Sequence, residues 1–143
     1  MIVPDVNVLL YAVDETSPRH DAARSWVEAV LSGPETVGLA WSVLTAFLRL
    51  STHPAVFERP IEAAQAFDLV DEWLARPNTV AVEPGDRHVV ILRELLEPLG
   101  TAGNLVPDAH LAALAREHGA SLASSDHDFA RFPGMRWFDP LTG

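Results

Sequence analysis

Short runs rich in β-branched and apolar residues alternate along this chain with longer stretches whose apolar residues recur every three or four positions. That alternation excludes all-helical and all-β folds. "IVP" (2–4), "TVGLA" (36–40), "TVAVE" (79–83) and "SLASS" (121–125) read as strands, and "MRWFD" (135–139) as a short edge strand. Helices are expected over 6–12, 18–31 with Ser17 as its cap, 41–51, 61–74 and 85–96, then "GTAGN" (100–104) as a flexible connection. A last helix is started by Pro107 and ended by Gly119. Consecutive β-helix-β units predict an α/β layered domain with a mostly parallel sheet and helices on both faces. With neither an internal repeat nor a linker long enough to divide it, the chain of 143 residues reads as one domain.

In such folds ligands bind beyond the carboxyl ends of the strands, where strand order reverses, so an acid that ends a strand carries information. Asp5 ends the first strand, Asp126 follows the fourth with Asp128 two residues on, and Asp108 lies in the first turn of the last long helix. Taken singly, each has a plain structural use: a helix cap for Asp5, the helix dipole for Asp108, a turn for Asp126 and above all for Asp128. Taken together, carboxylates gathered at one sheet edge repel until a cation neutralises them. The chain has no cysteine, so a metal would be held by oxygen or imidazole, and an all-oxygen set suits Mg²⁺ or Mn²⁺. The reaction class that matches such an ion is phosphodiester hydrolysis.

Asp5, Asp108 and Asp126 are therefore the candidate catalytic and metal-holding residues. Asn7 either hydrogen-bonds the Asp5 carboxylate or a water, or caps the nearby helix. Ser124 either holds a water or phosphate oxygen or is satisfied by backbone. The six histidines form no metal set. Arg49, in an otherwise apolar helix, is expected to pair with an internal acid, with phosphate contact as the alternative, and Trp26, Trp41 and Trp73 are expected in the core.

Twenty acids face ten bases, all arginine, for a net charge of -10. That balance argues against sequence-independent duplex binding, which relies on broad phosphate neutralisation, but leaves room for nucleic acid at one local site. The N-terminus lacks a basic leader, and no segment approaches the roughly 18 apolar residues of a membrane span, so a soluble cytoplasmic protein is expected.

"MIVPDVNVLLYA", "NLVPDAHLAALAREHG" and "LASSDHDFARFPGMRW", in this order, resemble the PIN-domain toxins of the VapC family, and the similarity runs over essentially the whole chain. The resemblance implies a three-layer α/β/α PIN-like domain and a Mg²⁺- or Mn²⁺-dependent endoribonuclease that leaves 5′-phosphate and 3′-hydroxyl ends on tRNA or ribosomal RNA. It also implies a cognate antitoxin as partner, and a homodimer. Asp5 matches the first family acid, Asp108 the third and Asp126 the fourth, with Ser124 at the hydroxyl position before it. The second acid departs from the pattern: a glutamate three residues before an arginine becomes Ala46 ahead of Arg49, and "WSVLTAFLRLSTHP" contains no acid. Either three acids suffice with waters or Asp128 fills in, and a weaker or single metal site is expected. The alternative function is a catalytically weak or inactive PIN-like domain that binds RNA or protein. An aspartyl-phosphate enzyme is disfavoured, because Asn7 stands where a second aspartate is wanted and the chain has no lysine.

Overall fold

The computed structural model describes residues 1–100 and 102–142; Thr101, in the connection expected over residues 100–104, lies outside them. Among the described residues the strands are β1 (Ile2–Pro4), β2 (Val37–Ala40), β3 (Thr79–Val82), β4 (Ser121–Ala123) and β5 (Trp137–Phe138). They form one sheet in the order β3-β2-β1-β4-β5, and every pairing is parallel. The helices are α1 (Val6–Val13), α2 (His20–Leu31), α3 (Trp41–Ser51), α4 (Ala63–Ala75), α5 (His88–Leu96) and α6 (Val106–Glu117). No helix is long and apolar enough to cross a membrane among the described residues.

Strand order explains the layering. The chain moves outward from β1 to β2 to β3 through α1 to α4, then returns across the sheet through α5 and α6 to place β4 on the other side of β1. Right-handed crossovers made in opposite directions put their helices on opposite faces. Accordingly α1 packs on α2 and α3, and α3 on α4, while α5 and α6 pack on each other. The result is the three-layer α/β/α arrangement, with order reversing between β1 and β4.

The core sits where these layers meet the central strands. Val3, Val37, Leu39 and Leu122 are all at most 1% exposed, as expected of strands covered on both faces, and Phe47 of α3 is fully buried among them. In α6 the run Leu111–Ala115 is wholly buried, and Gly119, at φ +64°, closes the helix in the left-handed conformation that glycine adopts freely.

Pro4 has a local consequence for β1. Ile2 donates its N–H to the Thr36 carbonyl on the β2 side, whereas Asp5 donates to the Ala123 carbonyl on the β4 side at 2.8 Å. Residue 4 shares the orientation of residue 2, so a proline there removes one N–H ladder bond to β2, while the strand end stays paired with β4.

Three local expectations are corrected. α2 starts at His20 with Arg19 as its unassisted cap, and Ser17 instead accepts the Arg19 N–H in a turn at 3.1 Å. Trp41 is 46% exposed rather than core, because the first residue of α3 projects past the sheet edge where no layer covers it. Arg49 is exposed and makes no ion pair among the described residues: Trp41, Thr45 and Arg49 fall four apart on the solvent stripe of α3.

Candidate active site at the β1–β4 edge

Asp5, a candidate site residue, is also a helix cap. As the N-cap of α1 it accepts the Val6 N–H on Oδ1 at 2.7 Å, satisfying one orphan donor of the helix. Its Oδ2 accepts the Ser124 hydroxyl at 2.7 Å and the Asn7 amide at 3.4 Å. Ser124, fully buried just past β4, also accepts from Asn7 Nδ2 at 3.1 Å and from the Asp126 N–H at 3.0 Å. Asn7 is thus no cap. It holds the two strand ends together, since its Oδ1 also accepts the Ser125 N–H at 3.3 Å. Ser124 turns out to be satisfied by side chains rather than by backbone alone, while its carbonyl accepts from the Trp137 indole at 3.0 Å.

Asp126 caps the short 3-10 turn His127–Arg131, taking the Asp128 N–H on Oδ1 at 2.9 Å. Asp128 itself is exposed and serves that turn through its backbone. Asp108, in the first turn of α6 behind Pro107, is half-buried and has no hydrogen-bond or ion-pair partner among the described residues. Burial, then the charges of Asp126, Asp5 and Asp128, push its carboxyl up to about 6. Burial also raises Asp5, against the Ser124 and Val6 hydrogen bonds that favour its charged form, and Asp126 adds to the rise. Acids more than a hundred residues apart in sequence therefore act on one another at one edge of the sheet.

Asp139 belongs to the same edge and has no counterpart among the residues singled out in the sequence. Its side chain is 4% exposed and lies 3.9 Å from Arg19. Oδ1 accepts from Ser125 Oγ at 3.2 Å and from the Leu141 N–H at 3.0 Å, and Oδ2 faces His127 Nε2 at 3.1 Å. Burial opposes its ionisation, but the Leu141, His127, Ser125 and Arg19 donors outweigh it and hold the carboxyl below its ordinary range. Asp139 thereby clamps the loop that carries Asp126. A lone acid following an edge strand offers no periodic or spacing signal that would have revealed it.

The donor set fits a hard divalent cation. It consists of carboxylate and hydroxyl oxygens, and among the described residues no arginine comes within ion-pairing distance of Asp5, Asp108, Asp126 or Asp128, so that no ion pair offsets the repulsion felt by Asp108. Among the described residues no group of three or more histidine, aspartate or glutamate side chains is placed to hold a metal ion together. A hard divalent ion held by one or two carboxylates would keep several waters.

Residues 2–135 match the PIN domain family. Ribonuclease VapC37 of Mycobacterium tuberculosis is 50% identical over 140 residues, covering 98% of this chain and 97% of its own. Ribonuclease VapC33 of the same species is 43% identical over 141 residues, covering 99% of each chain. In fold, the chain is similar to a solved complex, VapBC2 from Rickettsia felis bound to a DNA fragment from their promoter, with TM-score 0.71, 21% identity and coverage of 97% and 98%. It is also similar to M. tuberculosis VapC20, a Sarcin-Ricin loop cleaving toxin, with TM-score 0.60, 19% identity and coverage of 95% and 99%.

Proposed function

Since this chain belongs to the PIN-domain family, in its VapC branch, we propose that it is the toxin of a toxin-antitoxin pair, an endoribonuclease that hydrolyses RNA phosphodiester bonds with Mg²⁺ or Mn²⁺. The observation that carries this reading is the gathering of acids at the β1–β4 edge, where Ser124 Oγ joins Asp5 to the Asp126 backbone and Asp108 lies near enough to feel both carboxylates. Relatives named as ribonucleases along the full length favour it over the non-cutting alternative.

Asp5 and Asp108 would hold the ion, with Asp126 reaching it directly or through water. When bound, such an ion stabilises charge on the phosphoryl group and lowers the pKa of water. The chain's own residues provide the preorganisation. Ser124 and Asn7 fix Asp5 with one oxygen turned to the helix and the other to β4, and the Asp139 clamp keeps the Asp126 loop against them. Asp108, half-buried and without a partner among the described residues, would be the carboxylate whose repulsion a bound cation neutralises. Attack by water in line with the leaving oxygen would give 5′-phosphate and 3′-hydroxyl ends, on tRNA or ribosomal RNA in the cytoplasm.

The partner in this reading is a cognate antitoxin whose cationic side chains suit a protein of net charge -10. Self-association as a homodimer would use apolar surface outside the site, such as Phe67 of α4, which is 55% exposed.

Purified protein carrying Asp5→Asn or Asp108→Asn should cut structured RNA no faster than wild type in chelator, and should bind Mn²⁺ more weakly. Undiminished Mn²⁺-dependent cutting by both variants would remove the assignment.

A further inference from the structure

A second concave surface lies on the same sheet edge, one and two strands away from the acids. Trp41 and Ser42 open α3 straight after β2, Val82 and Pro84 stand at the end of β3, and His110 and Leu114 reach over from α6 to enclose about 470 Å³. That volume is in the range of small-ligand pockets. Strands in a sheet lie about 5 Å apart, so the floor of this pocket is roughly 5–10 Å from the strand that presents Asp5.

Trp41 is the unusual residue here. Trp73 is buried edge-on to Phe47, Trp26 packs against Phe138, and Trp137 spends its N–H on Ser124. Trp41 alone of the four is exposed, with no aromatic neighbour and no acceptor for its indole N–H among the described residues. Opposite it, His110 is held by a contact of 3.0 Å between its Nδ1 and His88 Nε2, which leaves Nε2 as the ring atom free for a ligand. His88 packs edge-on against the same His110 ring at 4.7 Å, and its buried Nδ1, 3.9 Å from Glu117, makes no hydrogen bond among the described residues. The pocket is therefore a braced imidazole facing an uncovered indole.

The charge of the chain says what such a surface receives. No lysine exists, the pocket wall carries Glu83, and its lining includes no arginine, so a phosphate finds nothing to neutralise it there. A base has a π-face to stack on an indole and edge atoms to hydrogen-bond an imidazole and a hydroxyl. Resting on the ribonuclease reading above, we propose that the Trp41–His110 pocket receives an unpaired base of the RNA, next to the phosphate presented to the acids. An acidic nuclease thus holds its substrate by a base rather than by its backbone.

Binding and cleavage separate this proposal from the reading beneath it. Short single-stranded oligoribonucleotides, added to Asp108→Asn protein, should quench tryptophan fluorescence, and Trp41→Ala in that background should abolish the quench and weaken binding about ten- to a hundredfold. Trp41→Phe should keep most of the affinity, and an abasic nucleotide beside the scissile phosphate should reproduce the Trp41→Ala loss. In otherwise wild-type protein, Trp41→Ala should lower kcat/KM to a similar degree while Mn²⁺ affinity and far-ultraviolet circular dichroism stay unchanged. RNA bound and cut by Trp41→Ala as by wild type would overturn the pocket assignment, leaving it to a protein partner, and the ribonuclease reading would stand. Base-dependent quenching without any metal-dependent cutting would keep the pocket and sink the nuclease.

Discussion

Asp5 and Asp108 face the same edge of the sheet and are held in opposite ways. Every oxygen of Asp5 is engaged, one by the α1 backbone and the other by Ser124 and Asn7, whereas Asp108 has no donor among the described residues. Hydrogen bonds oppose the effect of burial at Asp5, while at Asp108 burial and three like charges act in the same direction. The difference separates two tasks within one site. Asp5 is positioned by the fold itself, and Asp108 carries repulsion that a bound cation would relieve.

The largest effect that would sharpen this contrast is expected from Ser124→Ala. It removes the shortest bond to Asp5 Oδ2 and the acceptor for the Asp126 N–H inside a fully buried pocket, so urea unfolding should show a loss of about 1–3 kcal/mol. An unchanged midpoint would mean that Asp5 is not held by the fold as argued.

Asp108→Asn should act in the other direction on the metal-free protein. Its folded pKa of about 6 lies above the unfolded 3.8, so its contribution to stability is present below about pH 3.8 and is lost as pH rises through 6. Wild type in chelator should therefore lose stability relative to Asp108→Asn across that window, and Mn²⁺ at pH 7 should restore it. Parallel pH profiles for the two proteins would break the comparison.

Ala46→Glu is expected to have the smallest effect. Ala46 is half-buried on α3, and a carboxylate there would supply the acid that the family pattern contains and this chain lacks. Calorimetry should find Mn²⁺ bound a few-fold more tightly, with a slightly higher Asp108 pKa in the metal-free form. Weaker binding would mean that residue 46 does not face the ion.

Much of this arrangement was legible in the chain itself. The strands are short apolar runs, and their parallel order brings strand ends and helix starts to one edge, so Asp5, Asp108 and Asp126 could be singled out from position and fold class. What escaped depends on tertiary placement. Periodicity puts Trp41 on an apolar helix, but it cannot tell that the first turn overhangs the sheet edge. Arg49 lies among apolar neighbours in sequence and among exposed ones in space. Asp139 becomes informative only once β5 has brought it against Ser125 and His127, contacts that no local pattern encodes.

The hydroxyl that orients Asp5 comes from a residue 119 positions further along the chain. Ribosomes make proteins from the amino end, so the first acid emerges early and waits for almost everything between β1 and β4 before it acquires its partner. Pairing of such distant segments is among the slower events in folding, because the intervening loop must be closed before the contact rewards it. A cutting edge assembled in this way is born blunt: until β4 has been made and docked, the nascent chain carries an acid with only its own helix start to hold it.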